Sequence, residues 1–543
     1  MRSAGALHRL LDVLPVFHGD PRVLTRFTLV PGSDFDIGAL AALDRSGART
    51  LPWDEALRIP HDLILAASPK GALHRLAGPR VLLPHGAGFN KSVHGDGSPG
   101  LPSGLDPHYL LAAHDEPWAD LHALAHENQV VRLGSRVPRA ASRTVVVGDP
   151  TLDRVLASTH HRDSYRDALG TGPRRLVAVT STWGPESLLA RRPGLVAELT
   201  GLLPYDAYQV ALILHPNQHS RIGAFDLARH LSPAVAAGLL LASPYEEWAA
   251  LLVAADAVVS DHGSTALYAA ALGLPVVDAY DGGDELLPGS PMAHLLDAIP
   301  RLASASGLEA AIEAARTVDT RAHAAEAFAW QGEAHARLRT QLYRLLRLHP
   351  LPDPVSGEVG APAFPRPSSS SRRPPAFAVR AEVTGERVTV RRFPAHSRQP
   401  SHHLAAEFPA ADPRQLQSAS VVWRHAGVPA HAALPHTTWT AEGWTARTLE
   451  DHPGCRTAAA VLARSRVLIR HRSAGLTTAR VEPGEDRGRL SYPDPSVVVS
   501  AVHAWLSTRT ETAPRATLVC EAGPVVVRVH LEPARPDDLR YEL

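Results

Sequence analysis

"VVSDHGSTALYAAALGLPVV", Val258 to Val277, reads as a buried strand, a tight polar turn, a helix of small residues and a second strand. The first apolar run does not alternate with polar residues, which predicts a parallel strand covered on both faces. Gly263 lets the backbone turn sharply or approach a ligand, and Gly273 with Pro275 stops the helix before the next strand. In open parallel sheets ligands sit beyond the carboxyl ends of strands, where N–H groups at helix starts suit anions. The turn after Ser260 has that position. Ser264 and Thr265 are candidates to cap the helix or to donate to phosphate oxygens, and His262 to stabilise phosphate charge, with Asp261 beside them. The competing reading has Gly263 only turning and Ser264 only capping.

The pattern repeats outward. Strand runs near "VLTRFTLV", "DLILAAS", "RVLLPHG" and "TVVVGDP" form one group. Those near "RLVAVTST", "QVALILHP", "AAGLLLAS", "DAVVSD" and "LPVVDAY" form another, with helical stretches between them. Two Rossmann-like α/β halves are expected, residues 1–155 and 156–349. The chain opens on a helix near Ala4–Leu14, and Leu338, Leu342, Leu345 and Leu346 mark the apolar face of a closing helix. Residues 350–375, rich in Pro, Ser and Gly, read as a disordered linker. Residues 376–543 read as a separate α+β domain, with hairpins around Thr384 and Gly385 and between "ATLVCEA" and "VVVRVHLEP". A helix led by Thr457 and then the strand "RVLIR" account for the surroundings of Cys455, so no nucleophile is assigned there.

The formal net charge is zero, which removes the electrostatic reason to expect a nucleic-acid partner. Two cysteines, Cys455 and Cys520, are too few for a disulfide framework or a cysteine-based zinc site. No HExxH and no Cys/His cluster at zinc spacing occurs, so neither a metal nor a cofactor is expected. No apolar run of about 18 residues is present to span a bilayer. His8, Arg9 and Asp12 interrupt the first apolar stretch, unlike a secretory signal. The expectation is a cytoplasmic protein with at most peripheral contact at the inner face of the membrane. Lys70 and Lys91 are the only lysines, and the Arg, Ala, Pro and Gly bias suggests a GC-rich bacterial source. Neither lysine lies in a GxxxxGK[ST] motif, which excludes a translational GTPase.

Five stretches in order, "LLPHGAGFNK" (Leu82–Lys91), "VVVGDPTLD" (Val145–Asp153), "VAVTSTWG" (Val177–Gly184), "LILHP" (Leu212–Pro216) and the glycine turn, resemble the CDP-glycerol glycerophosphotransferase family of teichoic acid synthesis. The chain looks like a divergent actinobacterial member. The resemblance covers roughly two hundred residues and nothing beyond Pro350. It implies a GT-B pair of domains, an acceptor half followed by a nucleotide-donor half. It also implies His85 as the general base for an acceptor hydroxyl, and His215 as a contact to the donor diphosphate. Thr151, Gly184 and Ile213 stand where that family often has basic residues, and His262 with Gly263 replaces its usual aromatic and Ser.

Each role has a plain alternative. His85, beside Gly86, is either a base or a turn histidine bonded to backbone, and an unperturbed imidazole near pH ~6.5 suits the former. Lys91 contacts acceptor phosphate or is solvated; His215 contacts diphosphate or is satisfied within its loop; Trp183 flanks a base or packs between halves. Asp153 closes the Gly-x-Pro-x-x-Asp segment. Asp281 and Glu285, with Asp278 and Asp284, bind ribose hydroxyls or are solvated loop acids. The leading expectation is a transferase moving a phospho-alditol or glycosyl unit from a nucleotide-diphosphate donor, CDP-glycerol or a nucleotide sugar, to a hydroxyl of a cell-envelope precursor. A UDP-N-acetylglucosamine 2-epimerase-like enzyme and a degenerate, non-catalytic nucleotide-binding or assembly module are the alternatives. The epimerases carry acids where this chain has Leu267 and Tyr268.

Overall fold

The computed structural model describes the chain except residues 33–39, 42, 45, 85, 94–97, 99, 244–246, 352–362, 369–371, 398, 428–436, 487 and 510–514. The opening helix, Ala4–Val13, is capped by Ser3, whose Oγ accepts from Ala6 N at 3.2 Å. Its Leu7, Leu10 and Val13 are buried in one core with Leu338 and Leu342 of the helix Ala334–Leu346. The leucine face of the closing helix therefore packs on the first half, although the helix follows the second half in sequence. Between the two helices lies a four-stranded parallel sheet, β1 (Ile64–Ala66), β2 (Arg80–Leu82), β3 (Leu121–Leu124) and β4 (Thr144–Val146), in the order 1-2-3-4.

Two details of this half correct the sequence reading. The strand expected at Val23–Val30 does not form: Phe27 and Val30 are buried, but Phe27 makes only an isolated parallel bridge with Thr50, and Leu24 is exposed. Conversely, β3 carries "LHAL", which has no β-branched residue to announce a strand; burial on both faces sets it instead.

The second half holds β5 (Arg175–Ser181), β6 (Tyr208–Leu214), β7 (Leu240–Leu241), β8 (Ala257–Asp261) and β9 (Val276–Tyr280), all parallel in the order 7-6-5-8-9. Ala178 and Val258 face the core shared with the helices Trp248–Ala254 and Thr265–Ala271, while Val177, Val179 and Val259 face the opposite layer. The strand order reverses between β5 and β8. That switch point opens a crevice at their carboxyl ends, just where the opening sequence places its glycine turn.

The C-terminal part is more closed than a simple α+β layer. β10 (Ala376–Thr384), β11 (Arg387–Pro394), β12 (His403–Glu407), β13 (Val421–His425), β14 (Thr457–Ala463), β15 (Arg466–His471) and β16 (Gly475–Val481) join β19 (Ala516–Ala522) and β20 (Val525–Pro533). Together they form a closed barrel. A two-stranded ribbon, β17 (Gly484–Asp486) and β18 (Arg489–Ser491), lies outside it. The helix Pro495–Ser507 is buried on nearly every side and fills the barrel, with Val498, Val502 and Trp505 in one core with Phe377, Trp423 and Ile469. Closure removes the exposed edges that an open sheet would present. Thr457 starts a strand and not a helix: "TAAAVLA" is buried on both faces between β13 and β15, and its alanines carry no periodicity to separate the two. Cys455 is buried and its thiol is pushed up to about 11, chiefly by desolvation.

The barrel is anchored to the second half. Arg392, fully buried in β11, donates to Asp206 at 2.8 and 2.6 Å, and Tyr205 N donates to Arg392 O at 2.8 Å. Both partners precede β6, so the barrel sits at the amino end of that strand, away from the crevice. Much of the stretch read as a linker lies outside the described residues. Its part 363–368 is docked: Phe364 is buried, its N–H donates to Ser158 Oγ at 3.0 Å, and Tyr165 OH donates to its carbonyl.

Candidate functional site

A cavity of about 430 Å³ lies between the two sheets, within the range of small-molecule sites. Its second-half wall is built from three strand ends. β5 delivers Thr182 and Trp183, β6 delivers His215 and Asn217, and β8 delivers the turn Asp261–Thr265. The organiser is Asp261. Its carboxylate is fully buried and accepts from Thr182 N at 2.9 Å, Leu188 N at 2.8 Å and Gly263 N at 3.0 Å. One side chain thus locks the β5 turn to the β8 turn across the switch point.

Gly263 leaves room for this lock. A Cβ there would stand 3.0 Å from Asp261 Oδ1 and 3.4 Å from the Thr182 Cβ. Ser264 occupies the N-cap position of the helix Thr265–Ala271 without making a side-chain cap hydrogen bond. Capping therefore does not consume its hydroxyl. Across the cleft, Gly86 has φ +75°, and a Cβ on it would lie 3.1 Å from Ser264 Oγ. The neighbouring His85 lies outside the described residues.

His262 lines the cavity from a buried position, beside Asp261 and Gly263. Its ring is wholly buried, Nε2 is 3.2 Å from the Glu285 carboxylate, and a Cβ on Gly282 would fall 2.3 Å from the ring. The ring's Nδ1 has no hydrogen-bond partner among the described residues. Glu285 in turn is buried between His262 and Lys91, whose Nζ is 3.9 Å away, and is not a loop acid facing a ribose. Asp281 is also diverted. It is half exposed, paired with Arg301 at 2.7 Å, and accepts from Gly283 N, outside the cavity wall. Asp153 fixes the closing helix, accepting from Gly332 N and Ala334 N at 2.7 Å each, and likewise does not line the cavity.

Lys91 lines the cavity and straps the first half to the second. Its Nζ donates to Thr182 Oγ1 at 2.9 Å, and its ammonium lies 5.9 Å from the centre of the Trp183 ring. Its backbone bridges Leu286, flanked by Ser92 N to Glu285 O at 2.8 Å and Leu287 N to Asn90 O at 3.0 Å. The first half thereby adds a short antiparallel rung to the second. Burial lowers the Lys91 pKa, opposed by the charges of Glu285 and Asp261. His215 Nδ1 accepts from Asn217 N at 3.1 Å, which orients the ring at the end of β6, 6.2 Å from Trp183.

One part of the cleft escapes sequence reasoning. Arg9, from the opening helix, is buried and donates to both Asp149 oxygens at 2.7 Å and to Thr151 Oγ1 at 2.7 Å. Thr151 donates onward to Asp12, and Tyr268 OH from the second half donates to Asp149 at 3.2 Å. A guanidinium therefore covers Thr151, one of the positions where a basic residue is missing from the local sequence. Only that gap hinted at it, because nothing local links position 9 to 149. Ile213, another such position, is simply buried core in β6.

No protein-family profile matches the chain, and no curated protein matches it. Among solved structures, a variant of the wall teichoic acid polymerase TagF is similar over 62% of this chain and 85% of its own, at 14% identity and a TM-score of 0.44. HepE from Anabaena in complex with UDP is similar over 63% of this chain and 96% of its own, at 16% identity and a TM-score of 0.37. S. aureus MnaA, also with UDP, covers 64% and 95% at 12% identity and a TM-score of 0.40.

Proposed function

We propose that the chain is a GT-B-type transferase that holds a nucleotide-diphosphate donor at the β5/β8 switch point. It passes a glycosyl or phospho-alditol unit to a hydroxyl acceptor of the cell envelope. The observation carrying this reading is the cavity between two parallel sheets, into which the carboxyl ends of β5, β6 and β8 bring Thr182, His215 and Ser264. The diphosphate would take N–H and hydroxyl donors of the Ser264–Thr265 turn, with Trp183 and His215 alongside. His85 is proposed as the base.

Binding without transfer is a second reading with its own support. Near the turn, Arg9 is neutralised by Asp149, and Lys91 is engaged by Thr182 and Glu285. Thermal-shift titration with CDP-glycerol, CDP, UDP, UDP-N-acetylglucosamine and GTP tests both, because a ligand of the folded state raises the melting temperature with concentration. The transferase reading expects a cytidine- or uridine-selective shift, weakened in the Ser264→Ala, Thr265→Ala double variant, and turnover lost in His85→Ala. A selective shift without turnover favours the binding module, and no shift with any nucleotide sinks both.

A further inference from the structure

The first-half end of the cavity is mixed: Arg9, Ser68, Lys70, Asn90 and Ser103 line it together with an apolar lobe. That lobe runs under the β1–β4 sheet among Leu82, Leu105, Leu110, Leu124 and Leu133, all buried, and reaches His122. Side chains alternate along a strand. In β3, Leu121 and Ala123 join the core around the opening helix, whereas Leu124 joins the leucine layer, and His122 shares its side. His122 is 2% exposed, and its Nε2 has no hydrogen-bond partner among the described residues. Buried polar atoms are nearly always partnered, so an orphan on a cavity wall calls for an explanation. Burial, aided by Arg143, pushes the His122 pKa down to about 4, which keeps the ring neutral at physiological pH. A neutral imidazole ending an apolar chamber suits a hydroxyl group, which both donates and accepts. It suits an anion poorly.

We propose that the leucine-lined chamber is the acceptor compartment of the cleft and takes a ligand with an apolar body, whose buried end carries a hydroxyl bonded to His122 Nε2. The word acceptor rests on the transferase reading; the chamber and its chemistry do not. A ligand so anchored fills the first-half lobe and points its other end toward Thr182 and Ser264.

Leucine-methyl NMR of the full chain, titrated with cyclopentanol and with cyclopentane, tests the proposal. The expected result is shifts confined to Leu105, Leu110, Leu124 and Leu133, with cyclopentanol bound about tenfold more tightly than cyclopentane, the value of one buried hydrogen bond. In His122→Leu, which removes the orphan and is expected to melt no lower than wild type, the two probes should bind equally. The proposal is overturned if neither probe shifts those leucines, or if the preference for the alcohol survives in His122→Leu. CDP and UDP titrated into the same samples separate the two readings. Alcohol binding without nucleotide binding removes the transferase and keeps the chamber, and the reverse removes the chamber alone.

Discussion

The two halves hold their sides of the cleft by different means. On the second half, one buried carboxylate, Asp261, takes three backbone N–H groups from turns that follow neighbouring strands. On the first, Arg9 and Asp149 form a buried ion pair between segments 140 residues apart, completed by Tyr268 of the other half. The first device uses backbone that cannot be mutated away. The second uses side chains that can be exchanged together, and the contrast predicts how each breaks.

The largest effect is expected at Asp261. Asp261→Ala leaves three buried N–H groups unpaired, at about 1–3 kcal/mol each, so the second half should lose roughly 4 kcal/mol or more by urea unfolding, along with nucleotide binding. A loss below ~1 kcal/mol would show that the lock is dispensable. Asp149→Ala should cost about 3–5 kcal/mol, because it strands a buried guanidinium, while the Arg9→Met, Asp149→Leu double variant should recover most of that loss. Failure of the double variant to recover would mean that the charges themselves are needed.

The histidines sharpen the contrast further. His262 has a carboxylate partner, whereas the barrel holds His403 and His503 neutral, 4.6 Å apart by ring centroids, with Thr457 on His503 at 2.8 Å. Burial first, then neighbouring His and Arg456, pushes His403 down to about 3 and His503 to about 4. The unfolded chain, with histidines near ~6.5, binds more protons over that interval, so barrel stability falls as pH drops from about 6.5 toward 4. Tryptophan fluorescence from Trp423 and Trp505 should report acid unfolding of the barrel before the α/β halves. Simultaneous loss of both would contradict this. The smallest effect is expected at Lys91→Met, which removes a half-buried strap and should cost about 0.5–1.5 kcal/mol while weakening nucleotide binding severalfold.

This contrast also explains what the sequence could convey. β5 to β9, the glycine turn, the opening and closing helices and both C-terminal hairpins are legible because strand runs, Gly and Pro stops and leucine spacing are local signals. The site residues that follow strand ends, Trp183, His215 and Ser264, share that legibility. Arg9 on Thr151, Glu285 on His262 and the chamber ending in His122 depend on segments far apart in the chain, and no local pattern encodes them. β3 and β14 were hidden for another reason: short runs rich in Ala and Leu, buried on both faces, carry neither period. The barrel is likewise invisible, since closure is a property of nine strands together and of no single one.

The central claim is that the β5/β8 crevice holds a diphosphate. A crystal structure of the full chain soaked with UDP or CDP tests it most directly. The account predicts diphosphate oxygens within hydrogen-bonding distance of the Ser264–Thr265 turn, with the base near Trp183. A nucleotide bound elsewhere on the molecule, or a crevice filled by protein side chains at saturating ligand, would contradict it.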